Sequence, residues 1–294
     1  MSHIATGKIM LRRLAGRIAR IVTLPFALFG CSGPEFLSLA VSRSGITVHE
    51  NLAYGGDPRQ KLDLYVPDKL DGKQTGKARL LVFFYGGGWD SGGKDGYLFA
   101  IRPFLDAGYI VAVPDYRIYP EARFPDFVED GAAALRWLND NAGQYGADTD
   151  RVYLAGHSAG AYNAMMLALD EHYLRNVGLD AKRIAAVVGL AGPYDFSTRT
   201  ATLAPIFAGA PDSATQPVSF ARPGAPAMLL ATGDADTTVY PRNSQGLAER
   251  LRQAGNEVEL KIYPGIGHVG LVTAMLLKSR APVARDALDF LARH

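Results

Sequence analysis

A serine flanked by glycines is the first feature of this sequence that suggests chemistry. The segment RVYLAGHSAGAYNAMMLA contains Gly156-His157-Ser158-Ala159-Gly160, which has the pattern G-x-S-x-G. A strand-like run precedes the serine and a helix-like run follows it, so Ser158 is expected at a sharp strand-to-helix turn. Such a turn exposes the hydroxyl as a nucleophile. It also places the Ala159 amide at a helix N-terminus, where an oxyanion can be bound.

A histidine is the expected partner of this serine, because a hydroxyl group is a poor nucleophile until a base takes its proton. The chain has six histidines. The side chain of His157 lies within the turn and should point away from the Ser158 hydroxyl. His268, in the segment YPGIGHVG, follows the last strand-like run. Loops after the carboxyl ends of parallel strands carry active sites, so His268 is the expected base.

A carboxylate is required next, to hold the histidine tautomer and to stabilise its charged form. The segment LLATGDADTTVY supplies Asp234 and Asp236 directly after a buried, strand-like run. Asp195, after the preceding run, is a weaker candidate. The chain order serine, aspartate, histidine is the one expected with a G-x-S-x-G turn. The residues themselves leave the choice between Asp234 and Asp236 open.

A run of three glycines, Gly86 to Gly88, follows another strand-like run in the segment FFYGGGW. A tetrahedral intermediate needs two or three hydrogen-bond donors aimed at its oxygen. Side chains at this loop would block the approach of the backbone to a substrate. The bare backbone therefore favours a second part of an oxyanion-binding site over a plain flexible turn.

The elements that position these residues alternate along the chain from about residue 45. Apolar runs of strand length are ITVHENLAY, KLDLYVP, ARLLVFFYG, YIVAVPDY, RVYLAGH, IAAVVGLAG, PAMLLATG and VELKIYPG. Helical periodicity covers residues 127–141, 242–254 and 284–292. The alternation predicts an α/β fold with a mainly parallel central sheet of about eight strands and helices on both faces.

Domain organisation follows from the same pattern. No polar linker interrupts the series, so residues 45–294 are expected to form a single domain. Residues 196–224 hold several Thr, Pro, Ser and Ala and no clear strand. A long irregular insertion of this kind is either a lid or binding loop, or a passive surface excursion.

Composition excludes several classes of function. Residues 1–30 contain five of the 31 basic residues and none of the 29 acidic ones, so the remainder is mildly acidic. A mildly acidic chain of this kind does not have the clustered basic residues that bind nucleic acid. The only cysteine, Cys31, cannot form an intramolecular disulfide or a Cys-rich zinc site. The expected chemistry needs no metal and no organic cofactor.

Residues 1–31 have the layout of an export signal: basic residues, a short apolar run and then small residues. The apolar run is too short to span a bilayer. A cysteine at the end of such a run resembles the lipidated Cys of a bacterial lipoprotein, although Phe29 is larger than the residue usual two positions before it. We expect an exported protein that is membrane-anchored through Cys31 or periplasmic. The alternative is a cytoplasmic protein with an amphipathic N-terminal helix.

The chain from about residue 45 to its end resembles the α/β-hydrolase superfamily, in particular bacterial esterases of the carboxylesterase and hormone-sensitive-lipase type. The similar segments are YGGDPRQKLDLYVP, YGGGW, PDYRIYPEARFP, GHSAG, GDADTTV and GIGH. The resemblance implies that the acid is the aspartate of a G-x-x-D-x-x-V segment, here Asp236. It also implies that Gly87 and Gly88 are oxyanion donors beside Ala159. Tyr85 stands where many relatives have histidine, which favours the branch with feruloyl and acetyl-xylan esterases.

The resemblance implies a serine hydrolase that cleaves small-molecule carboxylic esters through an acyl-enzyme intermediate. Amide or formamide hydrolysis of the kynurenine formamidase type and peptidase action remain alternatives, because the triad serves all acyl transfer. A non-catalytic ligand-binding protein on the same fold is a further alternative. Trp89, Tyr85 and Ile266 are candidate substrate contacts that are equally compatible with the core. The sequence does not indicate an oligomeric state.

Overall fold

The computed structural model describes residues 35–70 and 76–294. The N-terminal segment with Cys31 lies outside the described residues. The described residues form one compact unit. No helix in the described ranges is both long and apolar enough to cross a membrane.

An eight-stranded sheet forms the centre of this unit, with the strand order β1-β2-β4-β3-β5-β6-β7-β8. The strands are β1 (Ile46–Ala53), β2 (Lys61–Pro67), β3 (Ala78–Phe84), β4 (Ile110–Pro114), β5 (Ala147–His157), β6 (Ile184–Leu190), β7 (Ala227–Gly233) and β8 (Val258–Tyr263). Strand β2 pairs antiparallel with both β1 and β4. All other neighbouring pairs are parallel. The predicted sheet is thus confirmed in strand number and in its mainly parallel character.

Burial explains why these runs form a covered sheet. Every residue of β4 is buried, and β6 and β7 are buried from their third and second residues onward. Successive side chains of a strand point to opposite faces, so uninterrupted burial requires cover on both faces. Strand β1 has no buried residue, as expected for the edge of the sheet. Strand β5 begins at Ala147, before the apolar run RVYLAGH that predicts it, because its first residues pair with the start of β3.

Helices connect and cover the strands. They are α1 (Glu35–Leu39), α2 (Leu98–Asp106), α3 (Asp126–Asn141), α4 (Ala159–Leu169), α5 (His172–Asn176), α6 (Asp212–Thr215), α7 (Arg242–Gln253), α8 (His268–Thr273) and α9 (Val283–Arg293). The three predicted helices correspond to α3, α7 and α9 within one residue at each end. Helix α4 is buried along its whole length against β3, β5 and β6, because apart from Asn163 its residues are small or apolar.

The irregular segment 196–224 packs onto the rest of the unit through specific contacts. Its Phe207 is 2% exposed and lies edge-on to Trp89, with ring centroids 5.0 Å apart. The Tyr162 hydroxyl on α4 donates a hydrogen bond to the carbonyl of Thr215 at 2.8 Å. The Phe124 amide donates to the carbonyl of Ile206 at 2.9 Å. These contacts anchor the segment beside the glycine loop that follows β3.

Candidate active site

Ser158 lies between β5 and α4 with φ 54° and ψ −123°. This backbone conformation is energetically unfavourable for an L-amino acid. Two glycines make this turn sterically feasible. A Cβ on Gly160 would overlap the carbonyls of Phe84 and Tyr85, and a Cβ on Gly156 would lie 2.7 Å from the Ala161 amide nitrogen. The glycines of G-x-S-x-G therefore allow α4 to begin directly against β3.

His268, the first residue of α8, connects the serine to a carboxylate. Its Nε2 lies 2.9 Å from Ser158 Oγ, and its Nδ1 lies 2.8 Å from Asp236 Oδ2. A carboxylate accepts the Nδ1 proton, which leaves the Nε2 lone pair to accept the serine proton. The three side chains come from the carboxyl ends of three strands, β5, β7 and β8, and are far apart in sequence. The arrangement is that of a nucleophile, a general base and an orienting acid.

Asp236 is buried and Asp234 is exposed, which gives a physical basis for the choice of Asp236 that the G-x-x-D-x-x-V resemblance implies. Asp236 Oδ1 accepts hydrogen bonds from the amides of Thr238 and Val239 at 2.9 and 2.8 Å. Asp234 instead accepts the Gly265 amide at 2.6 Å. Burial by itself would raise the pKa of the Asp236 carboxyl, but its hydrogen bonds outweigh burial and lower that pKa. Asp236 is thus held ionised against the imidazole.

His157 packs directly behind the candidate base. Its ring centroid lies 4.9 Å from that of His268, and its Nε2 lies 3.3 Å from the His268 carbonyl oxygen. Burial, with the neighbouring His268 adding to it, lowers the pKa of His157 from 6.5 to about 3. Its side chain therefore stays neutral and supports the backbone of the His268 loop. As the sequence predicts, its hydrogen bond is not to the Ser158 hydroxyl.

The glycine loop after β3 presents backbone groups rather than side chains. Gly87, Gly88 and Trp89 all have positive φ, at 138°, 60° and 63°. The Gly86 amide donates to the Tyr97 hydroxyl at 3.1 Å. Within the described residues, the amides of Gly87, Gly88 and Ala159 have no hydrogen-bond acceptor. These three amides are therefore available to a ligand oxygen, whereas that of Gly86 is already occupied.

The three candidate substrate contacts have different environments. Tyr85 is fully buried, so it does not line a substrate surface, and burial raises the pKa of its hydroxyl well above the usual value. Trp89 is 2% exposed, donates from Nε1 to Asn163 Oδ1 at 3.0 Å, and packs in an aromatic cluster. Both aromatic side chains therefore belong to the hydrophobic core. Ile266 is partly exposed two residues before His268 and remains a candidate contact.

Polar pairs hold the neighbouring loops. The Arg117 guanidinium binds the Asp130 carboxylate, with Nη2 and Oδ1 2.8 Å apart, and Gln60 donates to the same oxygen at 2.7 Å. Arg59, to which the sequence pattern attaches no role, lies behind the glycine loop and contacts the Tyr85 hydroxyl. The one sequence signal for Arg59 is that it belongs to the segment YGGDPRQKLDLYVP, which resembles the esterases.

Across residues 35–70 and 76–294, no group of three or more His, Cys, Asp or Glu side chains is placed to hold a metal ion.

A mainly parallel eight-stranded sheet, with a serine at the β5–α4 turn and an Asp-His pair after β7 and β8, defines an α/β-hydrolase fold. Residues 62–251 match the BD-FAE family. The chain therefore belongs to the BD-FAE family, and the resemblance to α/β-hydrolase esterases that the sequence motifs indicate is confirmed.

The curated relatives have names that describe ester-hydrolysing enzymes. The chain is 29% identical over 248 residues to the probable isoprenylcysteine alpha-carbonyl methylesterase ICMEL2 of Arabidopsis thaliana, covering 76% of this chain and 58% of that protein. It is 27% identical over 237 residues to the esterase LipC of Mycobacterium tuberculosis, covering 73% and 58%. The chain thus spans less than two thirds of the length of these relatives.

Solved structures share the fold. A truncated carbohydrate esterase from gut microbiota has a TM-score of 0.74 at 21% identity, over 86% of this chain and 98% of that chain. The apo form of esterase 2 from Thermogutta terrifontis has a TM-score of 0.70 at 24% identity, over 86% and 96%. Both likenesses show the fold alone.

Proposed function

We propose that this protein is a serine hydrolase that cleaves carboxylic esters of small molecules through an acyl-enzyme intermediate. The observation that carries the proposal is the continuous chain of short contacts from Ser158 Oγ through the His268 imidazole to Asp236 Oδ2. The names of the relatives, among them a methylesterase and an esterase, support ester hydrolysis.

The reaction follows from the geometry in two halves. Ser158 Oγ attacks the ester carbonyl while its proton passes to His268 Nε2, and Asp236 stabilises the resulting imidazolium. The carbonyl oxygen becomes an oxyanion that the amides of Gly87, Gly88 and Ala159 bind. The intermediate collapses, and His268 gives its proton to the leaving alcohol. A water molecule then attacks the acyl-enzyme with His268 again as base, which releases the acid and regenerates Ser158.

Turnover of p-nitrophenyl acetate by wild type and Ser158→Ala tests the proposal. We expect p-nitrophenolate release in wild type and its loss in Ser158→Ala. Ser279→Ala, a change at an exposed serine in the turn between α8 and α9, is the matched control and should keep wild-type rates. A fluorophosphonate probe should label Ser158 in wild type and in the control variant. Folded wild type that is neither labelled nor active would instead indicate a ligand-binding protein.

The class of bond is tested with pairs of substrates that share an acyl group. We propose esters as the substrates, so p-nitrophenyl acetate should exceed p-nitroacetanilide by a large factor in kcat/KM. The resemblance to feruloyl and acetyl-xylan esterases supports a panel of C2 to C12 esters with acetyl-xylan and methyl ferulate. N-formylkynurenine belongs in the same panel, since preferred cleavage of that formamide would overturn the ester assignment.

We also propose that residues 1–30 direct export and that Cys31 becomes the lipidated N-terminus of the mature protein. The basic residues, the apolar run and the position of the only cysteine support this proposal. Mass spectrometry of protein from membrane and soluble fractions tests it. We expect a chain that begins at Cys31 with added acyl mass. Recovery of unmodified Cys31 in a chain that keeps Arg12 would refute it.

A further inference from the structure

One guanidinium group contacts both ends of the glycine loop. Arg59 Nη2 donates to the Tyr85 hydroxyl at 2.8 Å and to the Gly92 carbonyl at 3.0 Å. Tyr85 immediately precedes the three glycines, and Gly92 ends the loop. Arg59 itself lies outside this loop, two residues before β2.

The two ends of the loop are in contact with each other. Gly92 has φ 90°, and a Cβ at this position would lie 2.6 Å from the Gly86 carbonyl oxygen and 3.1 Å from the Tyr85 ring. Within the loop, the Gly87 carbonyl accepts the amides of Asp90 and Ser91 at 3.1 and 3.0 Å. A group that fixes Tyr85 and Gly92 therefore also fixes the path of the backbone between them.

The same guanidinium also binds the segment that directly follows β4. Arg59 Nε donates to the carbonyl of Tyr116, two residues after β4, at 2.9 Å. The Tyr116 ring stacks on Tyr85 with centroids 4.7 Å apart, and its hydroxyl donates to the Tyr85 carbonyl at 2.8 Å. Arg59 Nη2 also lies 3.9 Å from Asp115 Oδ1. The loop is thus connected through Arg59 to the buried Tyr116, directly after β4.

We propose that Arg59 is a positioning residue for the oxyanion-binding amides, because it holds Tyr85, Gly92 and Tyr116 in one fixed arrangement. Three consecutive glycines lose more conformational freedom on ordering than any other residues, so the loop needs external restraint. A planar guanidinium can donate to several acceptors in one plane, whereas a lysine ammonium is a point charge on a flexible stem. The inference rests on the proposed function, since the restraint matters where an oxyanion forms.

Arg59→Met and Arg59→Lys test the proposal through kinetics. We expect kcat for p-nitrophenyl acetate to fall about 10- to 100-fold in Arg59→Met with KM within about threefold, because oxyanion contacts strengthen only in the transition state. Arg59→Lys should recover less than half of that loss on a logarithmic scale. Arg136→Met is the matched control, since Arg136 forms an exposed pair with Asp140 on α3, and it should keep wild-type kinetics.

Chemical rescue and hydrogen exchange separate positioning from general destabilisation. The Arg59 side chain is 34% exposed, so free guanidinium ions should enter the space in Arg59→Ala and restore kcat at least fivefold, without effect on wild type. Amide exchange of a peptide covering residues 85–92 should accelerate at least tenfold in Arg59→Met and stay unchanged in Arg136→Met. Unchanged kcat together with unchanged exchange would overturn the proposal.

These measurements also distinguish the two proposals. If wild type does not hydrolyse esters, the proposed function fails, and exchange of residues 85–92 still decides whether Arg59 restrains the loop. If wild type is active and Arg59→Met keeps wild-type kcat and exchange, the positioning role fails and the proposed function stands. A loss of kcat that guanidinium does not restore, with unchanged exchange, would likewise refute a positioning role.

Discussion

Gly87→Ala and Gly88→Ala form a pair that tests the geometry of the oxyanion loop. Both changes add one methyl group and both retain the backbone amide. The structure predicts different outcomes, because the added Cβ atoms meet different surroundings. A Cβ on Gly87 would lie 2.7 Å from the Ser91 carbonyl carbon and closer still to its oxygen, whereas a Cβ on Gly88 would meet only the Asp90 side chain, with Oδ1 nearest at 3.4 Å.

The size of the effect at Gly87 follows from that overlap. Ordinary van der Waals contact begins near 3.4 Å, so the loop must move by at least about 0.7 Å relative to Ser91. The φ of 138° is also unsuited to alanine. A misplacement of about 1 Å in a catalytic group lowers the rate by about a hundredfold. We therefore expect Gly87→Ala to lower kcat about a hundredfold, equivalent to about 2.7 kcal/mol of barrier.

Gly88→Ala should affect stability rather than rate. Its φ of 60° lies in the left-handed helical region, which costs an L-residue about 1–2 kcal/mol. The contact with Asp90 is an ordinary one that involves a side-chain oxygen. The loop therefore has no steric reason to move, and kcat should stay within about threefold of wild type.

Initial rates of p-nitrophenyl acetate hydrolysis, normalised to the fraction of protein labelled by a fluorophosphonate, measure both variants. Denaturant unfolding reports their stability separately. Wild-type kcat in folded Gly87→Ala would refute the argument from steric overlap. An equal loss of kcat in both variants would refute the claim that the Ser91 contact distinguishes them.

Three further predictions concern the acid, its neighbour and the inserted segment. Asp236→Asn should lower kcat about 10⁴-fold with little change in KM, because an amide favours the wrong histidine tautomer, and a kcat near wild type would exclude Asp236 as the orienting acid. His157, with its pKa lowered to about 3, stays neutral when folded but gains a proton when unfolded below pH 6.5. The free energy of unfolding of wild type therefore rises with pH between these values. In His157→Gln, measured by denaturant unfolding at pH 4 to 7, the increase of this free energy with pH should be smaller than in wild type by up to about 1.4 kcal/mol per pH unit. An unchanged pH dependence would contradict burial of a neutral imidazole. Phe207→Ala should lower the free energy of unfolding by about 3–5 kcal/mol, because the ring is 2% exposed against Trp89, and a loss below 1 kcal/mol would indicate that residues 196–224 are not anchored there.

Local pattern was sufficient for most of the fold. Strand runs such as IVAVP and the helix from Asp126 are visible because burial on both faces or on one helical face leaves a regular apolar period. Helix α2 went unpredicted, and it contains Pro103, which is a poor helix former. The early start of β5 was missed because pairing with β3, rather than hydrophobicity, extends it.

The sequence by itself determined which residue types follow which strands: a serine between glycines, then an acidic pair, then a histidine, with a bare glycine backbone after β3. Those features are local, since the turn signals and the apolar runs that predict the strands are properties of neighbouring residues in the chain. The resemblance of GDADTTV to a G-x-x-D-x-x-V segment implied Asp236, but only the tertiary structure gave the physical reason: the fold brings His268 to Asp236 and the amide of Gly265 to Asp234, although both aspartates follow the same strand. It likewise decided that Tyr85 is buried, because the fold packs the rings of Tyr97 and Tyr116 against it, and that the guanidinium of Arg59, 26 residues earlier in the chain, binds its hydroxyl.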